Sequence, residues 1–245
     1  MTDTELGFVE RYDQVIAHPS TRKLYCDTGY YNVGYWSRGA KTTAEASAEV
    51  VDQHLSRAGP FDEGSRIVDL GCGLGDTTAR IAAAAPKCDV IGVNISDAQI
   101  ATARTAHPDV RYEVMDGTRL NFAENSIDRL ISVEAVFHFD TRSQFLQSLR
   151  PLMAKGSKVV LTDVLFAEGS DPWDWWVPAA NRGLSLSSYE PLCQSTGFVV
   201  QSIEDITDST WAPYCNVLRN NGSAEAANRI ENWVSHYLMV VLTLG

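Results

Sequence analysis

Basic residues are scarce in this chain: Lys and Arg total 20 against 31 Asp and Glu, a net charge of −11. Binding DNA, RNA or an acidic membrane surface rests on neutralising phosphates with basic side chains, so no nucleic acid and no membrane is expected as a partner. Cysteine is thin as well. The five, Cys26, Cys72, Cys88, Cys193 and Cys215, are odd in number and scattered, with no C-x-x-C pair. Neither a disulfide framework nor a metal site is expected from them, and a reducing, cytoplasmic compartment fits best. A secretory leader is missing too, since the stretch Met1 to Arg11 carries Asp3, Glu5 and Glu10 in place of a basic and then apolar pattern. Tyr237 to Leu244, the longest apolar run near an end, falls far short of the roughly 20 residues a membrane helix requires. No repeat or low-complexity tract divides the sequence. What remains is a soluble protein acting on a small molecule, with its oligomeric state left open.

What is present is a globular composition of 245 residues, 44% hydrophobic, with Trp enriched at 6. One domain is expected over 1–245: an entrance segment at 1–60, a core at 61–165, a pocket-forming region at 166–236 and a terminal strand at 237–245. Strand-like and helix-like segments alternate through the core. Ile67 to Leu70 reads as a strand, Thr77 to Ala85 as a helix, Asp89 to Val93 as a strand, and Ser96 as the N-cap of a helix reaching about Ala106. Three further strands read at Val110 to Met115, Ile127 to Val133 and Lys158 to Leu165. This alternation predicts a parallel sheet covered on both faces by helices, with ligands outside the carboxyl ends of its strands. Helices are expected ahead of the core at Glu5 to Ala17 and Thr43 to Arg57. After it come a helix at Leu186 to Thr196 and strands at Phe198 to Ile206 and Tyr237 to Leu244.

The motif Asp69-Leu70-Gly71-Cys72-Gly73-Leu74-Gly75 sits directly between a strand and a helix. Glycines there let the backbone turn tightly and come close to a ligand. A dinucleotide fingerprint begun at Gly71 fails because Asp76 stands where a small residue is required, and a P-loop fails for want of Gly-Lys-Ser/Thr. The motif resembles the first motif of the class I S-adenosylmethionine-dependent methyltransferases, and the resemblance runs from about Arg66 to Leu165. It implies an α/β, Rossmann-like fold: a seven-stranded mixed sheet with an antiparallel terminal strand, helices on both faces and a helical cap. S-adenosylmethionine is the implied cofactor.

Under that resemblance Asp69, Gly71, Cys72 and Gly73 form the first cofactor-binding turn, and Asn94 and Ile95 end the second strand. Asn94 departs from the acidic residue most relatives carry to accept from the ribose hydroxyls, although its amide oxygen still accepts. Gln99, one turn past Ser96, either reaches the same hydroxyls or stands in solvent. Asp116, with Gly117 and Thr118, matches the carboxylate that accepts from the adenine amino group, or is simply a turn residue. Asp128 is expected to orient backbone at the start of the fourth strand. Glu134 is placed beside the methionine part of the cofactor or under the loop.

His138 looks like the histidine after the fourth strand of methyltransferases that act on hydroxyls of natural products, and Asp163 like its companion carboxylate. These two are the implied catalytic pair, with His138 as general base; a histidine packed between Phe137 and Phe139 is the alternative. Aromatic residues supply the implied wall of a hydrophobic acceptor: Tyr31, Trp36, Phe137, Trp173 and Trp176, with core packing as the competing role of each. The expected reaction is O-methylation of a small secondary metabolite. The alternatives are carbon methylation of an isoprenoid, alkene or aromatic ring, N-methylation, or a noncatalytic protein that only binds the cofactor.

Overall fold

Short runs rich in Val, Ile and Leu make the strands of the computed structural model, which describes residues 7–173 and 175–244. They are β1 (Arg66–Leu70), β2 (Asp89–Asn94), β3 (Arg111–Val114), β4 (Ile127–Ser132), β5 (Met153–Phe166), β6 (Phe198–Asp205) and β7 (Val234–Leu244). All seven lie in one sheet in the order β3-β2-β1-β4-β5-β7-β6. The first five run parallel, whereas β7 inserts antiparallel between β5 and β6. The seven-stranded mixed sheet and its antiparallel last strand are as expected.

Alternation along each strand sorts side chains into two cores. In β7 Tyr237, Met239 and Val241 enter one face and Leu238, Val240 and Leu242 the other; β5 does the same with Val160 and Val164 against Val159, Leu161 and Leu165. Helices cover both faces: α1 (Phe8–Ala17), α2 (Pro19–Leu24), α3 (Thr43–Ala58), α4 (Asp76–Ala84), α5 (Asp97–Ala106), α6 (Arg142–Leu149), α7 (Leu186–Ser195), α8 (Trp211–Asn220) and α9 (Ala224–Ile230). Their starts follow local chemistry. A capping box joins Thr42 and Glu45 at the head of α3, and the Ser96 hydroxyl accepts from the Gln99 N–H at the head of α5. Asp128 accepts from the Arg66 N–H at 2.7 Å, the backbone role expected of it. Among the described residues no helix is long and apolar enough to cross a membrane.

Two differences from the sequence reading have clear causes. The fifth strand starts at Met153, five residues before Lys158, because Met153 pairs with Ile127 across the polar stretch that hides the pattern. The first helix is described only from Phe8, so the expected start at Glu5 lies outside the described residues.

One buried ion pair ties α6 to the sheet. Arg142 donates through Nε and Nη2 to the two oxygens of Asp163 at 2.6 and 2.9 Å, and the Tyr189 hydroxyl donates to the same carboxylate at 2.8 Å. Both charged residues are essentially inaccessible to solvent. Removing one partner strands the other charge in the core, so Arg142→Met is expected to lose about 3–5 kcal/mol in urea unfolding.

Candidate functional site

The chain leaves β1 toward β2 and later returns to build β4 on the other side of β1, so the carboxyl ends of β1 and β4 flank the point where the strand order reverses. A cavity of about 750 Å³ opens there. Its floor is the glycine turn. Gly71, Gly73 and Gly75 have φ of 81°, 54° and 98°. A Cβ on Gly71 would overlap that of Ala135, which packs the turn after β1 directly on the turn after β4. A Cβ on Gly73 would meet only Gln99 Oε1, 3.9 Å away, so at Gly73 the backbone itself lines the cavity. Cys72 lines it too, buried, with its thiol pushed well above its usual pKa by burial.

Asp69 is not in the lining. Its Oδ2 accepts from the Thr78 hydroxyl at 2.6 Å, bracing α4 beneath the turn, while Oδ1 has no hydrogen-bond partner among the described residues. Burial raises its pKa to about 7. Of the four residues expected to form the cofactor-binding turn, Asp69 supports it from behind while Gly71, Cys72 and Gly73 line the cavity.

At the end of β2 the polar groups form one chain. The Ile95 N–H donates to Asn94 Oδ1 at 2.7 Å, Asn94 Nδ2 donates to Gln99 Oε1 at 2.7 Å, and Gln99 Nε2 donates to Asp13 on α1 at 2.6 Å. Asn94, Ile95 and Gln99 all line the cavity, and Gln99 is buried rather than solvated. Beyond β3, Asp116 receives the N–H and hydroxyl of Thr118 on Oδ1, both at 2.8 Å, a turn that leaves Oδ2 unengaged by Thr118; Asp116, Gly117 and Thr118 all line the cavity.

The other end is aromatic and carries Glu134 and His138. Glu134 follows β4 with φ of 55°, its N–H donating to the Thr162 hydroxyl. Its Oε2 accepts from the Val33 N–H at 2.9 Å and the Tyr237 hydroxyl at 2.7 Å, and burial lifts its pKa to about 7. Burial, with Glu134 nearby, holds the Tyr12 and Tyr31 hydroxyls protonated. His138 Nδ1 lies 2.7 Å from the carbonyl of Trp176. Because a carbonyl only accepts, Nδ1 carries the proton and Nε2 keeps its lone pair. Desolvation lowers the His138 pKa to about 4, so the ring is neutral at pH 7.

The expected pairing of His138 with Asp163 is not what the structure contains. Asp163 is held by Arg142 and Tyr189 and lies outside the lining, and the Trp176 carbonyl orients the imidazole instead. Of the expected wall, Tyr31 lines the cavity and four residues do not. Phe137 is core, with its ring centroid 4.0 Å from that of His138. Trp36 donates its indole N–H to the Val33 carbonyl, and Trp176 serves through its backbone. Trp173 stacks on Trp175 and lies beneath the Arg229 guanidinium. The wall is made by Phe8, Tyr12, Phe139 and Trp175 in their place. Phe8 and Tyr12 are four residues apart on α1, each with its ring centroid 5.3 Å from that of His138, a helical spacing visible in the sequence but not connected to the site there.

Comparison with known proteins agrees with this geometry. A family model described as a methyltransferase domain matches residues 67–156. An O-methyltransferase of Aspergillus sclerotiorum, resE, is 26% identical over 230 residues, covering 88% of this chain and 83% of its own. Two solved structures share the fold. The cyclase SpnF has a TM-score of 0.77 at 18% identity, covering 97% of this chain and 96% of its own. A geranyl diphosphate methyltransferase solved with GPP and sinefungin has a TM-score of 0.77 at 19% identity, covering 96% and 97%.

The glycine turn separates two substitutions. Gly71→Ala combines a left-handed backbone with an overlap on Ala135 and is expected to cost at least about 2 kcal/mol in thermal unfolding. Gly73→Ala faces open space, so it is expected to cost about 1 kcal/mol while weakening binding of S-adenosylhomocysteine measured by calorimetry.

Proposed function

We propose that the chain is a small-molecule methyltransferase dependent on S-adenosylmethionine, that its acceptor atom is a hydroxyl oxygen of a small, largely apolar molecule and that His138 is the base, a reading supported by the methyltransferase-domain match and the named O-methyltransferase relative. The observation that carries this is the tautomer of His138: proton on Nδ1, lone pair on Nε2, ring neutral, at an aromatic cavity. The cavity also fits the cofactor. The bare backbone at Gly73 permits close approach, Asn94 and Gln99 present oxygen acceptors suited to a diol, and Asp116 Oδ2 is an acceptor suited to an amino group. Glu134 lines the cavity and offers a carboxyl suited to an ammonium group. Tyr12, Tyr31 and Trp175 offer ring faces that favour a cation.

When bound, S-adenosylmethionine supplies an electrophilic methyl group on a sulfonium centre. The protein positions the acceptor against it, a contribution worth about 7–11 kcal/mol in favourable cases. His138 removes the hydroxyl proton as the oxygen attacks, and the Trp176 carbonyl holds the Nδ1–H of the imidazolium that forms. Burial disfavours that cation, so the ring passes the proton on readily. The name of the Aspergillus sclerotiorum relative supports an oxygen acceptor.

A second reading is favoured by one observation, the buried Glu134 carboxyl with a pKa near neutrality among tyrosines. In carbon methylation it would balance a substrate cation and then accept its proton.

Transfer of label from methyl-labelled S-adenosylmethionine into panels of hydroxylated, amine and prenyl compounds tests the proposal. Oxygen-linked product that falls about 10²–10⁴-fold in His138→Ala, with unchanged binding of S-adenosylhomocysteine, is the expected result. Equal loss of binding and turnover removes His138 from the chemistry, and no product from any panel favours a noncatalytic binding protein. The pH profile of kcat/KM separates the two bases, each active only when deprotonated. With His138 as base, the rate holds from pH 8 to about 5 and falls toward 4; with Glu134 as base, it falls as the pH drops through about 7.

A further inference from the structure

The second strand ends on Asn94, a neutral residue, yet the polar chain that begins there ends on a carboxylate from another element. Its orientation is determined from both ends. Asp13 only accepts, so Gln99 must turn its NH₂ toward it; Ile95 N–H only donates, so Asn94 must turn its oxygen to that side. Between them the Asn94 NH₂ meets the Gln99 oxygen. Every dipole therefore points the same way. Ser96, itself buried, adds its hydroxyl to Asp13 at 2.9 Å. Chains of aligned hydrogen bonds polarise one another, and the charge at one end strengthens the acceptors further along.

We propose that Asp13 is a positioning residue for the cofactor: through Gln99 it lends negative charge to the amide oxygens of Asn94 and Gln99, two residues that line the cavity, and it makes α1 part of the cofactor's end of the site. The proposal rests on the S-adenosylmethionine reading above, with those oxygens accepting from a diol. Its second half follows from the helix. Asp13 is one residue from Tyr12 and five from Phe8, whose rings cover His138. A ligand that engages the polarised oxygens thereby favours the position of α1 that brings these two rings against His138.

Moving the charge tests this in a way that loss of an anchor cannot imitate. Asn at position 13 can still accept from Ser96 and Gln99, so Asp13→Asn keeps the contacts and removes the charge. Binding of S-adenosylhomocysteine, read by calorimetry on protein of unchanged melting temperature, is expected to weaken about 10-fold. Asn94→Asp alone places carboxylates on both sides of Gln99 and is expected to bind no better than wild type. The double variant Asp13→Asn with Asn94→Asp restores one charge, now at the strand end, and is expected to recover to within about threefold of wild type. As a second readout, S-adenosylhomocysteine is expected to slow proteolysis within α1 in the wild type and to do so less in Asp13→Asn. Equal binding by wild type and Asp13→Asn, or a double variant weaker than Asp13→Asn, overturns the role of Asp13 alone. A wild-type protein that fails to bind S-adenosylhomocysteine overturns the methyltransferase reading and this one with it.

Discussion

Everything at the site depends on the approach of two turns. β1 and β4 are neighbours in a parallel sheet, so the loops leaving their carboxyl ends emerge side by side, and Gly71 lets the first pack on Ala135 of the second with no side chain between. A larger residue at Gly71 would push the turns apart. Their contact sets the floor of the cavity on one side and, on the other, the left-handed backbone that aims Glu134 at Val33 and Tyr237. The glycine turn thus shapes the aromatic end of the cavity as well as the polar end at Asn94 and Asp116.

A second constraint holds His138. His138 lies on a single turn of helix too short to hold itself. Asn181 supplies what is missing, its amide donating to the carbonyls of Phe137 and Phe139 on either side of the histidine. Asn181 is in turn fastened by its carbonyl to Arg142, the same guanidinium that forks onto Asp163. Asp163 therefore contributes to His138 through three linked residues rather than by touching it. With each side-chain nitrogen and oxygen of Arg142, Asp163 and Asn181 hydrogen-bonded, the buried charge is tolerated and the turn is fixed.

The core was legible because its signals are local. Alternating apolar runs, the Ser96 cap and the glycine spacing each act within a few residues, and they located the sheet, the switch point and the carboxyl-edge residues from Gly71 to His138. The partner of His138 was not legible, since whether Asp163 meets a histidine or an arginine depends on how α6 packs across β5. Trp173, Trp175 and Trp176 show the same limit. Three nearby aromatics share one composition, yet only Trp175 reaches the cavity, Trp173 stacks on its outer side and Trp176 contributes a carbonyl. Phe8 and Tyr12 lie more than 120 residues from His138 in sequence, so their helical stripe announced a buried face without saying what it covers.

The neutral residue at position 94 shows how function can survive a departure from a motif. A site needs acceptors of sufficient strength at a given place, and the sheet supplies only the place. The strength can come from a charge on the strand itself or from one delivered along hydrogen bonds from a helix packed over the opening. The two solutions differ in consequence. A carboxylate on β2 would be present whether or not the entrance helix is seated, whereas one on α1 arrives only with the helix that also brings Phe8 and Tyr12 to His138. Placing the charge on α1 ties the strength of one half of the site to the same helix whose Phe8 and Tyr12 rings pack on His138 in the other half.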